Sequence, residues 1–185
     1  MKVCIFDTET TGLVKNRAIP LSKQPQIIEI YCDIFEQVGT GAEAKFFDMK
    51  PYHALIKVEQ PLPDIIKKIT NINDAMLVDR PFFKVVAPTI RHVVTDVERL
   101  VGHNLAFDRS MLEIEFERAK LPVTKWPECV CTVEATEHFF GHKLNQSRLY
   151  EHLFNEKFDG AHRAEADVKA LRRIYERLVL DGVIE

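Results

Sequence analysis

The sequence predicts an α/β fold in which a mixed, five-stranded sheet is flanked by helices. Three predicted strands come first along the chain, and two more alternate with helices in the second half. Such an order favours a sheet that begins antiparallel and carries helices on its faces. The length of 185 residues suits one domain of ordinary size, so we predict a single domain spanning residues 1–185.

The strands are predicted from their apolar patterns. Residues 2–6 are apolar on both alternating faces, which is typical of a central strand covered on both sides. Residues 26–35 place isoleucine and cysteine side chains on one face and acidic side chains on the other. Three shorter predicted strands complete the sheet, at 44–49, 98–101 and 129–132.

Helices are predicted mostly after residue 63. Asp64 is a candidate N-cap for a short helix through Ile69, and Asn73 is a candidate cap for another turn. Residues 81–94 have a helical pattern that Pro88 is expected to kink or break. Further helices are predicted at 104–120, 133–140, 147–155 and 164–180.

The composition excludes several classes of protein. With 46% apolar and 29% charged residues, the chain is globular rather than disordered or fibrous. The net charge of −3 argues against a nucleic-acid binder that relies on a basic surface alone, although bound divalent cations would add positive charge that this count omits. No apolar stretch approaches the roughly 20 residues that span a bilayer, and the four cysteines are too irregular for a disulfide framework. We therefore expect no membrane partner and a reducing, cytoplasmic location.

Two acidic residues follow the first predicted strand. Asp7 and Glu9 are two positions apart, so in an extended chain their side chains point to the same face. Neighbouring carboxylates repel and raise each other's pKa unless a cation lies between them. Hard divalent cations such as Mg²⁺ prefer these oxygen ligands. The pair indicates a metal site, and the start of a solvated loop is the alternative.

A third acidic residue is predicted to face the interior from a helix. If Asn104 caps that helix, Asp108 lies on the same stripe as Leu105 and Met111. An ionised carboxylate is costly to bury there unless it is paired or bound to a metal. The alternatives for Asp108 are therefore a metal ion or a basic partner such as Arg109.

The last helix brings a fourth inward acid and a histidine. Asp167 begins the apolar stripe of this helix, and His162 lies five residues before it. On a continuous helix His162 would point about 140° away from Asp167, so it must precede the helix on a turn, which Gly160 would allow. There it could deprotonate a water near neutral pH. An exposed surface histidine is the alternative.

Four inward carboxylates with a histidine nearby suit a two-metal phosphodiester hydrolase. In such sites two ions about 3.5–4 Å apart clamp the scissile phosphate. Zinc usually takes several histidine or cysteine ligands, and these acids are not accompanied by such a set.

Three segments resemble, in order, the three exonuclease motifs of the DnaQ-like (DEDD) superfamily. They are FDTETTGL at 6–13, HNLAFD at 103–108 and HRAEAD at 162–167, and the resemblance covers nearly the whole chain. It is nearest to the proofreading epsilon subunit of bacterial DNA polymerase III and its stand-alone relatives. The tyrosine variant has Tyr four residues before the last Asp, where this chain has Arg163, so His162 matches the histidine (DEDDh) variant.

The resemblance implies an RNase H-like fold and 3′→5′ hydrolysis of nucleic-acid ends to nucleoside 5′-monophosphates by a two-metal-ion mechanism. It implies two divalent ions, Mg²⁺ with Mn²⁺ able to substitute, and His162 as the general base. The implied metal ligands and catalytic carboxylates are Asp7, Glu9, Asp108 and Asp167. The terminal nucleotide would be bordered, directly or through supporting contacts, by Thr8, Thr10, Gly12, Leu13, His103, Asn104 and Phe107.

Two of these positions have a structural alternative. Leu13 and Phe107 would contact the terminal base, and stacking on an aromatic ring is worth about 1–3 kcal/mol for any base. Both could instead be core residues. The chain also departs from the family at 69–72, where relatives often have a glycine; Asn71 can replace it because asparagine tolerates a left-handed backbone.

Three functions follow from these patterns. The first is a DNA exonuclease acting on 3′ ends, most of all on single-stranded DNA. The second is an exonuclease with the same chemistry that acts on RNA ends. This alternative stays open because the choice between DNA and RNA depends on contacts to the 2′-OH, which the sequence does not reveal. The third is a catalytically silent binding domain, which the intact set of five catalytic candidates disfavours. No polymerase-binding segment is recognisable, so the sequence does not support a polymerase partner.

Overall fold

The computed structural model of the protein describes residues 1–16, 18–158 and 162–185. One mixed sheet has the order β3-β2-β1-β5-β6, and β4 also pairs with β2. Strands β1 to β4 are joined antiparallel, whereas β1, β5 and β6 run parallel. The strands are β1 (Lys2–Thr10), β2 (Ile27–Val38), β3 (Lys45–Asp48), β4 (Tyr52–Leu55), β5 (Arg99–Gly102) and β6 (Glu128–Cys131). The predicted mixed sheet with an antiparallel beginning is therefore confirmed.

The outer position beside β2 is shared by two short strands. β3 pairs with residues 35–38 of β2, and β4 pairs with residues 29–32 further along the same edge. The sheet is thus five positions wide, as predicted, but it contains six strands. The sequence prediction missed β4 because four residues directly after Pro51 are too short to show a strand pattern.

Seven α-helices are present in the described ranges. Those from α3 onward cover the faces and the end of the sheet and lie close to their predicted positions. The helices are α1 (Asp64–Thr70), α2 (Asp74–Leu77), α3 (Phe83–Thr95), α4 (Leu105–Arg118), α5 (Thr132–Phe140), α6 (Gln146–Phe154) and α7 (Ala164–Leu180). None of them is long and apolar enough to cross a membrane.

Of the three residues predicted to cap helices, one makes the expected capping bond. Asn73 caps α2 by accepting a hydrogen bond from the Met76 backbone nitrogen at 3.1 Å. Asp64 is not a cap; Pro63 holds that position, and Asp64 lies in the first turn, where the helix dipole favours a carboxylate. Asn104 precedes α4 but is left-handed, and its side chain makes no capping bond to this fully described helix.

Two backbone predictions concern Asn71 and Pro88. Asn71 ends α1 in a left-handed conformation with φ 57°, as expected for the residue that replaces a family glycine. Pro88 lies inside α3, yet the helix runs on without a break through residue 95. Pro88 is solvent-exposed, so the carbonyl it leaves without an N–H donor lies near water.

Strand β1 separates two apolar layers. Its odd-numbered residues Val3 and Ile5 pack in the layer that contains Ile174 of α7, while Cys4 and Phe6 pack in the layer of α3 and α4. All four strand side chains are fully buried. The prediction that β1 is central and covered on both sides is confirmed. This alternation also decides toward which helix the residues after Phe6 point.

Candidate active site

An open cleft of about 730 Å³ lies at the carboxyl end of β1. It brings together all five catalytic candidates of the sequence, although they come from three distant segments. Of the other predicted site residues, Thr8, His103, Asn104 and Phe107 line the cleft, whereas Thr10, Gly12 and Leu13 do not. The lining consists of Asp7, Thr8, Glu9, His103, Asn104, Phe107, Asp108, Val133, Lys143, Leu144, Asn145, Gln146, Ser147, His162 and Asp167.

Three carboxylates form the centre of this cleft. Asp7 and Glu9 continue the odd-numbered face of β1, which packs against α7, and Asp167 projects from the first turn of α7. One oxygen from each of the three carboxylates lies within 4.8 Å of the others. Such a group of hard oxygen donors is suited to a divalent cation.

Asp108 reaches the site from the other side of the strand. It is buried, and its Oδ1 accepts hydrogen bonds from the Thr8 backbone nitrogen at 3.1 Å and from Thr8 Oγ1 at 2.6 Å. Arg109, the alternative partner, instead faces Glu113, with 3.5 Å between Nε and Oε1. Among the described residues, Asp108 is not part of the three-carboxylate group.

The electrostatics of the four acids favour a bound cation. Burial, followed by the charges of Asp108 and Glu9, raises the pKa of Asp7 well above its ordinary value. Burial and the charge of Asp167 raise the pKa of Glu9 to about 8. Burial also raises the pKa of Asp108 to about 7 and raises that of Asp167, while hydrogen bonds from the backbone and Thr8 oppose these shifts. A divalent ion would remove the repulsion between the charged forms.

His162 precedes α7, as its spacing from Asp167 requires. The helix begins at Ala164, and His162 has a left-handed backbone with φ 69°. Its backbone nitrogen donates to Asp167 Oδ2 at 2.8 Å, which ties the residue to the carboxylate cluster. The side chain is solvent-exposed and lines the cleft. Gly160, to which the sequence assigned the preceding turn, lies outside the described residues.

His103 supports one wall of the cleft. Its two ring nitrogens lie 2.9 Å from Thr132 Oγ1 and 3.1 Å from the Leu144 carbonyl oxygen. Burial lowers the pKa of His103 to about 4, so the ring is neutral. Because a carbonyl can only accept, Nε2–H donates to Leu144 and Nδ1 accepts from the Thr132 hydroxyl. Any polar contact from this ring to a substrate would replace one of these bonds.

Residues 143–147 form the cleft wall that His103 supports. This wall was not predicted from the sequence. Gln146 donates from Nε2 to the Asp167 carbonyl oxygen at 2.7 Å, and Asn145 caps α6 through the Arg148 backbone nitrogen at 3.0 Å. The capping pattern of Asn145 was a usable signal for a helix start. Nothing local in the sequence indicated that this start borders the cleft.

Thr10 is the last residue of β1, and Gly12 and Leu13 lie just beyond it. Thr10 is buried and donates from Oγ1 to the Gly12 carbonyl oxygen at 2.8 Å, so it fixes the turn. The Leu13 side chain is 79% exposed, so the core alternative for Leu13 is wrong. Phe107 is half-buried, since it packs against the α3–α4 layer while it lines the cleft.

A family model described as "Exonuclease" matches residues 4–175 of this chain. The chain belongs to the exonuclease family. The exonuclease is 29% identical over 177 residues to the DNA polymerase III subunit epsilon of Treponema pallidum, and this match covers 94% of the exonuclease and 74% of that subunit. The resemblance stated from the three motifs is therefore confirmed.

Solved structures match the fold of the exonuclease. Exonuclease X in complex with 5′ overhanging duplex DNA has a TM-score of 0.62 and 24% identity, with 97% and 93% of the two chains covered. A 3′-exonuclease that recognises a histone mRNA stem-loop has a TM-score of 0.72 and 17% identity, with 98% and 64% covered. These matches confirm the RNase H-like exonuclease fold.

Family membership also confirms the predicted class of enzyme. The protein is a 3′→5′ exonuclease, which hydrolyses phosphodiester bonds. Exonucleases of this family generally use divalent metals, and the group formed by Asp7, Glu9 and Asp167 could hold such an ion.

Proposed function

We propose that this exonuclease removes nucleotides from the 3′ ends of DNA, single-stranded ends above all, and releases nucleoside 5′-monophosphates. The observation that carries the proposal is the group of Asp7, Glu9 and Asp167, whose oxygens share one small volume in an open cleft although their charges repel. Similarity to a DNA polymerase III subunit favours DNA over RNA as the substrate.

The four carboxylates would hold two divalent ions. We assign Asp7, Glu9, Asp108 and Asp167 as the ligands of Mg²⁺, for which Mn²⁺ can substitute. When bound, such ions stabilise the negative charge that develops on the phosphate during hydrolysis. Asp108 contributes from the α4 side, where Thr8 fixes the orientation of its carboxylate.

His162 would act as the general base. An exposed imidazole at the edge of the cleft can take a proton from water at a ring nitrogen, because histidine is the side chain best suited to exchange protons in neutral solution. The water oxygen attacks phosphorus, the bond from phosphorus to the 3′ oxygen breaks, and the 3′ oxygen stays with the shortened strand. The product is a nucleoside 5′-monophosphate.

Several residues would bind the terminal nucleotide. We assign base contacts to Leu13, which is exposed three residues after the end of β1, and to Phe107 in the cleft. Backbone groups of Thr8, Thr10 and Gly12 would hold the sugar and phosphate. Asn104 lines the same cleft and His103 supports its wall. Lys143 adds a positive charge to the wall of residues 143–147, which suits a strand phosphate.

The experiment that tests this proposal compares three 5′-labelled substrates with the same sequence: single-stranded DNA, a primer–template with a mismatched 3′ end, and RNA. Each is incubated with Mg²⁺, Mn²⁺ or EDTA. We expect a metal-dependent ladder of shortened DNA, weaker digestion of RNA, and loss of digestion by more than about 100-fold in Asp7→Ala, because a metal ligand is removed. The control Asp79→Ala removes an exposed acid far along the chain from the motifs and keeps full activity.

Two outcomes contradict the proposal. Faster digestion of RNA than of DNA would make the enzyme an exoribonuclease. No digestion of any substrate with either metal would indicate a silent binding domain. A cytoplasmic location and the single domain spanning 1–185 stay predictions, and the sequence does not support a polymerase partner.

A further inference from the structure

A fifth carboxylate lies directly beside the proposed metal ligands. Glu29 of β2 is paired across the sheet with Glu9 of β1, so both side chains lie on the α7 face. Glu29 is fully buried. Two like charges at opposite positions repel, and the charge of Glu29 contributes to the raised pKa of Glu9. A buried acid at this position requires strong partners of its own.

The chain supplies these partners from the start of α7. Arg163 donates to both oxygens of Glu29, from Nε to Oε2 at 3.1 Å and from Nη2 to Oε1 at 2.8 Å. The Ala164 backbone nitrogen donates to Oε2 at 3.2 Å, and His53 Nε2 lies 2.9 Å from Oε1. Burial raises the pKa of Glu29, but the hydrogen bonds from Arg163 and His53 outweigh it and the net pKa is lowered. Glu29 is therefore ionised and committed to Arg163.

These contacts fix the position of Arg163, the residue that follows His162. His162 has a left-handed backbone, which a non-glycine residue keeps only when its surroundings hold it there. One tie is the hydrogen bond from its own nitrogen to Asp167. The other tie is the pair of hydrogen bonds that joins the next residue, Arg163, to Glu29. Two parallel bonds between a planar guanidinium and a carboxylate restrain rotation more than a single bond would. Two consecutive residues are thus anchored by separate carboxylates, His162 by Asp167 and Arg163 by Glu29.

We propose that Glu29 and Arg163 are positioning residues for catalysis: they hold the segment that presents His162 to the cleft. This inference rests on the proposed role of His162 as the general base.

The test uses Arg163→Ala, since the Arg163 side chain is 34% exposed and its loss is tolerated better than loss of the buried acid. The substrate is the p-nitrophenyl ester of thymidine 5′-monophosphate, a single nucleotide that requires few cleft contacts. We expect kcat to fall about 10- to 100-fold with KM changed less than about threefold, since misplacement of a catalytic group by about 1 Å can have an effect of this size. Added guanidinium ion should restore part of the lost turnover.

A double-mutant comparison isolates the pathway through His162. In a His162→Ala background the base is absent, so the further change Arg163→Ala should lower kcat less than about threefold. Glu29→Gln, which keeps the size of the side chain, should reproduce the loss of kcat seen for Arg163→Ala. An equal loss of kcat with and without His162 would overturn the proposal.

Arg172→Ala is the matched control. Arg172 lies on the same helix, α7, and pairs with Asp33 of the same strand, β2, at 3.1 Å, but it does not line the cleft. It is more buried than Arg163, so its loss should lower the melting temperature at least as much while kcat stays within about twofold of wild type. Wild-type kcat in Arg163→Ala would also overturn the inference, whereas an inactive wild-type enzyme, or a His162→Ala variant with full activity, would instead contradict the proposed function.

Discussion

Single residues at the end of β1 create the electrostatic conditions of the site. Asp7 and Glu9 are forced to one face by the strand, and burial together with the charges of neighbouring carboxylates raises both pKa values. Thr8, between them, points to the opposite face and binds Asp108. The three residues Asp7, Thr8 and Glu9 thus place side chains on two sides of the cleft, and each side chain can be tested separately.

The first prediction concerns His162. Changing His162 to Ala should lower kcat about 10²–10⁴-fold, which is the usual contribution of a general base. Steady-state kinetics with labelled DNA at neutral pH and saturating Mg²⁺ measure this loss. His92→Ala is the control, because His92 is an exposed histidine of α3 that does not line the cleft. Wild-type turnover in His162→Ala would show that another group takes the proton.

The second prediction concerns the hydroxyl of Thr8. Its hydrogen bond opposes the effect of burial on Asp108, so Thr8→Val should raise the pKa of Asp108 above its present value of about 7. More of the carboxyl is then protonated at neutral pH, and we expect kcat to fall about 10- to 100-fold, the usual effect of losing a group that orients a metal ligand.

This effect of Thr8→Val has a pH signature. Activity should recover as the pH rises from about 7 to about 9, because the Asp108 proton is lost there. Thr8→Ser keeps the hydroxyl and should retain most activity at every pH. Equal pH profiles for the Val and Ser variants would show that the hydroxyl does not control Asp108.

Among the secondary-structure elements, β1, α4 and α7 determine where the acids meet. The parallel pairing of β1 with β5 places the start of α4 beside the end of β1, and α7 packs across β1 and β2. The apolar stripe of α7 includes Leu171 and Ile174, which are buried, and this packing orients Asp167 toward Asp7 and Glu9. The elements therefore position the acids through apolar contacts that lie away from the chemistry.

The third prediction concerns α3. Pro88 lacks the N–H that would bond within this helix, and it is exposed, so Pro88→Ala removes no core contact. Proline inside a helix costs about 3 kcal/mol relative to alanine, and roughly 1 kcal/mol of the gain is offset by a more flexible unfolded chain. We expect the free energy of unfolding to rise by about 1–2 kcal/mol in urea denaturation, with kcat unchanged. Thr89→Ala at the next exposed position should give less than about 0.7 kcal/mol; an equal gain there would contradict the role assigned to the proline.

The whole molecule tolerates the repelling acids because its two apolar layers hold the fold around them. Residues from both ends of the chain, such as Val3 and Val179, pack in the same layer. Stability should therefore depend on the charge state of the cleft, and divalent metal should alter that dependence.

The fourth prediction is that metal-free protein loses stability as the pH rises. The pKa of Glu9 is raised from 4.5 to about 8 on folding, and that of Asp108 from 3.8 to about 7. At a pH between the unfolded and the folded pKa of each group, the folded state keeps a proton that the unfolded state has released. The contribution of these protons to stability is therefore complete below the unfolded pKa, and it is lost as the pH rises through the folded pKa. The melting temperature in EDTA should fall between about pH 5 and about pH 8, by roughly 2–4 °C for each 1 kcal/mol lost.

Added metal supplies the contrast for this prediction. With saturating Mn²⁺ the melting temperature at pH 8 should rise and its fall with pH should become smaller, because the ion binds the charged carboxylates of the folded state. Asp108→Asn should flatten the profile in EDTA as well. A melting temperature independent of both pH and metal would contradict this description of the cleft.

The sequence by itself determined the features that depend on local regularity. A strand alternates its side chains, so Asp7 and Glu9 had to share a face; a helix repeats every 3.6 residues, so Asp167 had to point inward and His162 had to precede α7. These periodicities, with the order of the three motifs, were enough for the fold class and for the five catalytic candidates.

Only the tertiary structure decided which distant residues pair. Glu29 and Arg163 are 134 residues apart, and Thr8 and Asp108 are 100 apart. Each of these side chains had several possible partners along the chain, and the choice follows from how β1, β2, α4 and α7 pack. The same holds for the wall of residues 143–147, which is joined to the cleft through His103. It also holds for β4, whose four residues form a strand because the edge of β2 is free to pair with them. Local periodicity fixes the direction in which a side chain points, whereas its partner is fixed by the packing of the whole chain.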